Sequence, residues 1–250
     1  PLLRNIFGQK ENKIDIEEEM RKKKILFINL CKGRLGEENS SFLGAMFITK
    51  IKQAGMARAG MPEESRTDFY LYVDEFHNLV TETFENILSE ARKYGLCLTV
   101  AHQYAAQLIP RVQAAVLGNT GTIIIFRVGG EDAVKLEPEM DPVFKVKDMI
   151  NLGMQEFYIK MTIDGETYDP FSAETLKVLP PTHETFKEKI TELSRTKYTI
   201  PAGAAKKLIT EEEATIFRSA QEKAIIEGKP RTADSEEPNP PATKEPEPLI

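Results

Sequence analysis

Five bulky residues, Phe69-Tyr70-Leu71-Tyr72-Val73, run straight into two adjacent carboxylates, Asp74 and Glu75. All five favour strands, and an apolar run of this length reads as a buried strand of a parallel sheet. In an open α/β sheet the C-terminal strand ends form the edge where ligands bind. Two acids at that edge are placed for chemistry, while the plain alternative is a strand that ends in solvated turn acids. The following residues set the context. Residues 82–94 place Phe84, Ile87, Leu88, Ala91 and Tyr94 on one helical face. Gly95 is suited to end that helix in a left-handed cap. Leu96 to Ala101 then reads as a second buried strand, which stops at His102-Gln103. Strand, helix, strand in this order predicts a right-handed crossover between parallel strands.

An apolar strand closed by Asp-Glu has the form of a Walker B strand. Asp74 would hold Mg²⁺, usually through water, and Glu75 would polarise the attacking water. The crossover brings Gln103 near both acids, beside the γ-phosphate position. A polar residue there can orient water and sense hydrolysis; otherwise it caps a loop at a helix start. Asp74, Glu75 and Gln103 thus form the expected nucleotide-binding set. A third apolar strand, Gly121 to Phe126, ends in Arg127-Val128-Gly129-Gly130.

These motifs occur in a telling order. "LYVDEFHN…FENILSEARKYGLCLTVAHQYAAQL…VLGNTGTIIIFRVGGEDA" resembles the C-terminal half of HerA/FtsK-type P-loop ATPases. It is most similar to the TraD/TraG-like coupling proteins of conjugation and type IV secretion. Upstream, "KILFINLCKGRLGEENSSFLGAMFITKIKQA" resembles the strand and helix that precede Walker B in that group. The likeness spans roughly residues 1–180. It implies a RecA-like, three-layer α/β fold with a parallel sheet, ATP and Mg²⁺ as cofactors, and a ring, a hexamer, that moves DNA. Relaxosome or secretion-channel proteins are the further partners it implies. A ring ATPase also needs an arginine that reaches the neighbouring subunit's γ-phosphate. Arg127, leaving an apolar strand before two glycines, is the first candidate, and the resemblance places an arginine in this "FRVG" position. Its plain role is an ion pair with Glu131 or Asp132. Arg92 and Arg111 come second and third.

One part of the family pattern is missing. No G-x-x-x-x-G-K-[ST] occurs in the 250 residues, and Gly33-Arg34-Leu35-Gly36 is too short and lacks the Lys-Ser/Thr pair. A phosphate cradle needs glycines for close backbone approach, a lysine for the phosphates and a hydroxyl for Mg²⁺. The chain is therefore expected to be the C-terminal part of a longer ATPase, and by itself to bind and hydrolyse ATP poorly.

Organisation follows from composition. Residues 1–180 are expected to form the ATPase core, 181–228 a charged helical appendage, and 229–250 a disordered tail. The tail carries six prolines and few apolar side chains, too little to offset its ordering entropy. Elsewhere, Ile25 to Cys31 reads as a strand, and Asp164-Gly165 as the turn of an edge hairpin. Cys31 and Cys97 both fall in predicted buried strands and read as core residues of a reducing compartment. No run of 18 apolar residues occurs, so no membrane span is expected in this portion. The expected location is cytoplasmic, at the inner face of the membrane through a preceding N-terminal part. The net charge of −6 argues against a broad basic DNA-binding surface. It leaves room for a few pore-lining bases repeated around a ring, among Arg21-Lys22-Lys23-Lys24, Arg92-Lys93 and Lys145/Lys147. Two other functions fit less of the pattern. One is a HerA-like chromosomal helicase–translocase; the other is a non-catalytic module that recruits a partner through residues 182–228 and the tail.

Overall fold

The structure, a computed structural model, describes residues 2–80 and 84–226. The chain divides into two units, one of Asn12–Ser194 and one joining the first eleven residues to those from Arg195 onward. The smaller unit opens with helix α1 (Leu2–Phe7).

The larger unit begins with α2 (Ile16–Arg21), whose N-cap Asp15 accepts a hydrogen bond from the Glu18 amide at 3.0 Å. Residues 25–31 are extended, and their side chains alternate: Leu26, Ile28 and Leu30 are half-buried, while Ile25 and Phe27 are exposed. The alternation is that of a strand, yet among the described residues this segment joins no ladder. Cys31 at its end is exposed, which corrects the expectation of a buried cysteine. A single turn, α3 (Lys32–Leu35), leads into the long α4 (Glu37–Met56), which buries Leu43, Ile48, Ile51 and Ala54.

Strand β1 (Phe69–Val73) pairs in parallel with β2 (Leu96–Val100), Phe69 opposite Leu96 and Val73 opposite Val100. Between them run α5 (Phe84–Glu90) and a 3-10 turn to Tyr94, closed by Gly95 at φ 69° as its sequence position requires. Phe84, Ile87 and Ala91 face the core; Glu82 and Thr83 of the predicted helix lie outside the described residues. The core of this half joins Val73, Phe76, Phe84, Ile87 and Leu96 to α2, α4 and α6 (Pro110–Asn119). Gly44 of α4 is a contact point, since a Cβ there would sit 2.4 Å from Leu79 just beyond β1.

The third apolar strand, β3 (Thr122–Ile125), does not extend this parallel pair. It is followed by α7 (Gly130–Met140) and α8 (Val146–Ile150) and pairs antiparallel with β4 (Glu156–Ile163). The expected hairpin forms between β4 and β5 (Glu166–Thr167) across Asp164 (φ 52°) and Gly165 (φ 85°), and β6 (Phe171–Glu174) pairs with the other end of β4. Ile125, Ala133, Met140 and Met149 make a separate core, capped by Phe144 stacked on Tyr158 at 3.6 Å. The α/β class, the parallel pair and the hairpin are thus as expected, while the third strand takes a different partner.

Helices α9 (Lys187–Tyr198), without buried residues, and α10 (Ala202–Ile226) follow. The second starts directly after Pro201 and buries Ala205 and Ile209. Within the smaller unit α1 lies along α10. Arg4 pairs with Glu213, and a Cβ on Gly8 would meet Ile209 at 3.0 Å. Gly228 and the tail from 229 fall outside the described residues. Among those described, no helix is long and apolar enough to cross a membrane.

Candidate functional site

The parallel strands end where the acids were expected. The ladder continues one step past β1 and β2, with the Ala101 amide donating to the Val73 carbonyl at 2.9 Å and the Phe76 amide to the Ala101 carbonyl at 3.0 Å. Phe76 is fully buried, with its ring 4.8 Å from that of Phe84. The backbone must reverse within two residues to drive Phe76 inward, and Glu75 absorbs the turn at φ 49°, ψ 39°. A left-handed conformation at a residue with a side chain costs about 1–2 kcal/mol, so neighbouring contacts must hold it. Asp74 Oδ1 accepts the Glu75 amide at 2.9 Å. The Glu75 carbonyl accepts from the Asn78 amide at 3.0 Å and from Asn78 Nδ2 at 3.1 Å.

This turn presents the Glu75 carboxylate to the end of β2. Gln103 Nε2 donates to Glu75 Oε1 at 2.6 Å, across 28 residues of sequence. The other oxygen, Oε2, lies 3.5 Å from His77 Nε2. The structure therefore brings Asp74, Glu75 and Gln103 to one edge. A carboxylate gripped by an amide donor is oriented and stays an acceptor, as a group that must polarise water requires. Asp74 is exposed, and its second oxygen has no partner among the described residues.

Two histidines back this edge. His77 Nδ1 is buried without a hydrogen-bond partner among the described residues. His102 is half-buried with its ring 6.1 Å from Phe76. Burial holds its imidazole below the usual histidine range, the neighbouring His77 adds to this, and Asp132 opposes it. Among the described residues no group of three or more His, Cys, Asp or Glu is arranged to hold a metal ion.

Arg127 stands apart from this cluster. It is exposed between β3 and α7, and among the described residues it makes no hydrogen bond or ion pair with Asp74, Glu75 or Gln103. It does not pair with Glu131 or Asp132 either. Asp132 is buried and instead accepts the Ala105 amide at 3.2 Å, tying α7 to the loop after β2. Several bases weighed as DNA contacts have acidic partners: Lys22 pairs with Glu18, Lys24 with Glu19 at 2.9 Å, and Lys145 with Asp141. Arg92 and Lys93 are exposed.

Sequence reasoning missed Lys32, Asn78 and the structural part of Asp132. Lys32 Nζ donates to Asn78 Oδ1 at 2.8 Å and pairs with Glu37 at 3.1 Å. The signal for Lys32 is its place at the end of an alternating apolar run; its bond to Asn78 brings it beside the turn at Glu75.

Residues 68–136 match the family described as the TraM recognition site of TraD and TraG. The TraD/TraG-like resemblance of the motifs is thereby borne out over that stretch. No curated protein sequence matches. Among solved structures, the chain is similar to the plasmid coupling protein TrwB in complex with ADP and Mg²⁺, at 14% identity and a TM-score of 0.44, covering 55% of this chain and 37% of that one. It is similar to the bacterial conjugative coupling protein TrwBdeltaN70 in an unbound form, at 13% identity and a TM-score of 0.47, covering 61% and 40%. It is also similar to the genome packaging NTPase B204 from Sulfolobus turreted icosahedral virus 2 in complex with AMPPCP, at 18% identity and a TM-score of 0.39, covering 53% and 63%. The chain spans about two fifths of the length of the coupling-protein structures it matches.

Proposed function

We propose that this chain supplies the Walker B half of a TraD/TraG-like coupling ATPase, a ring that uses ATP to move DNA during conjugative transfer. The observation that carries the reading is the 2.6 Å contact between Gln103 and Glu75 at adjacent parallel strand ends. It joins a general base and a polar sensor, as hydrolysis at this edge requires. The residues fit the cofactor. Asp74 offers an exposed hard oxygen suited to Mg²⁺ through water, and the ion would neutralise phosphate charge when bound. Glu75 orients water and accepts its proton; Gln103 holds the carboxylate and senses the γ-phosphate position. A phosphate loop would complete the nucleotide site, and the location is the inner face of the membrane.

Arg127 completes the site in trans. Its exposure and its lack of an ion pair with Glu131 or Asp132 support this role. The test is subunit mixing in the full-length protein. Arg127→Ala alone is expected to lower hydrolysis about 10³-fold with little change in nucleotide affinity. Mixed with Glu75→Gln subunits, it regains part of the activity, because some shared sites then hold both intact groups. No recovery in rings whose assembly is verified by light scattering would contradict action across the interface.

A second reading is favoured by the matched family's description. The stretch 68–136 would also dock a relaxosome protein of the TraM kind. Exposed Arg92 and Lys93, on the side of the crossover away from its core, suit an acidic partner.

A further inference from the structure

We infer that Lys32 and Asn78 are positioning residues for Glu75, a role that rests on the hydrolytic reading above. Glu75 is a non-glycine residue in the left-handed region, so its geometry needs outside support. Asn78 supplies two donors to one acceptor: its backbone amide and its Nδ2 both reach the Glu75 carbonyl, at 3.0 and 3.1 Å. The side-chain amide works only in one orientation. A carbonyl cannot donate, so Nδ2 must face Glu75, and Oδ1 then faces away.

Lys32 fills that position. Its ammonium, a donor with no acceptor capacity, lies 2.8 Å from Asn78 Oδ1 and so permits only the orientation that serves Glu75. Its charge also polarises the amide, which strengthens the Nδ2 donor at the far end of the chain of bonds. Glu37 Oε1 holds the same ammonium at 3.1 Å and aims it. The path Glu37–Lys32–Asn78–Glu75 therefore runs from the start of α4 to the base that faces water. It crosses 46 residues of sequence between Lys32 and Asn78. Gln103 grips the carboxylate from one side while this path fixes the backbone from the other, so losing it shifts the carboxylate relative to its sensor.

Two measurements test the role. The first needs only the 250-residue chain. In Lys32→Met, the Glu75 ¹³Cα and carbonyl shifts move away from their left-handed values, while Lys32→Arg keeps them. Asn78→Ala moves them further, and Lys32→Met adds nothing in the Asn78→Ala background because both act through one amide. Lys32 is 44% exposed, so these variants are expected to stay folded, with a melting temperature within about 2 °C of the parent chain. The second uses the full-length protein, where Lys32→Met lowers kcat about tenfold and leaves the KM for ATP within about twofold. Unchanged Glu75 shifts in Lys32→Met, or additive effects in the double variant, would overturn the inference. A Glu75→Gln control separates the two readings. If that variant turns over like wild type the hydrolytic reading fails, whereas a dead Glu75→Gln beside a fully active Lys32→Met removes only the positioning role.

Discussion

The two sheets of the larger unit end their strands in different ways. β1 and β2 run parallel and stop at the same edge, so each strand end releases a polar loop there: Asp74-Glu75 from one, His102-Gln103 from the other. β3, β4, β5 and β6 run antiparallel, and β4 turns back within two residues at Asp164-Gly165. This second sheet faces an apolar core: Ile125 of β3 packs with Ala133, Met140 and Met149 of α7 and α8, and Phe144 stacks on Tyr158 of β4. The parallel half gathers chemistry because its topology gathers strand ends, whereas the antiparallel half spends its strands on a closed core. Phe76 makes the contrast concrete. It belongs to the first core and is also the residue next to Glu75, so packing and site geometry share one side chain.

Two core truncations should affect the halves differently. Phe76→Ala removes a fully buried ring and is expected to cost about 3–5 kcal/mol. It should also release Glu75 from its left-handed turn, so the Gln103 side-chain amide signals shift along with the drop in melting temperature. Met149→Ala, in the other core, is expected to cost about 2–5 kcal/mol and to leave those amide signals in place. Equal disturbance of Gln103 by both variants would mean that the halves are not separable as described.

A smaller effect sharpens the same point through pH. Burial holds the His102 imidazole below the ordinary value of about 6.5. As pH falls through 6.5 the unfolded chain takes up a proton that folded His102 refuses, so stability is full above that pH. It is lost progressively between 6.5 and the lower folded value. His102→Gln should flatten this part of the stability profile, and an NMR titration should place the His102 midpoint below 6.5. A midpoint at or above 6.5 would show that the strand-end loops are more open to water than this packing implies.

Local chemistry made much of this half legible from sequence. The cap at Gly95 and the turn at Asp164-Gly165 depend on near neighbours and form as read, whereas the run 69–73 forms its strand but not buried on both faces: Tyr70 and Tyr72 are exposed. The pairing of Gln103 with Glu75 was legible too, because a crossover fixes where adjacent parallel strands end. Partner choice was not. Ile123-Ile124-Ile125 looks the same in a parallel or an antiparallel ladder, and only β4, some thirty residues on, decides between them. Ile25 to Cys31 shows a strand's alternation without a ladder among the described residues, because pairing needs a neighbour that alternation does not reveal. Lys32 was missed for the same reason: its partner Asn78 is distant in sequence, and its place after an alternating run does not reveal that partner.

In the proposed function, nucleotide is hydrolysed at the edge formed by β1 and β2 through Glu75. Glu75→Gln in the full-length protein tests it most directly, since the amide keeps the shape of the side chain but cannot accept a proton from water. ATP turnover and retention of labelled ATP are measured together on the same preparation. Turnover is expected to fall by at least about 10²-fold, with ATP still bound at near wild-type affinity. Turnover within about tenfold of wild type, with binding unchanged, would contradict this role of Glu75.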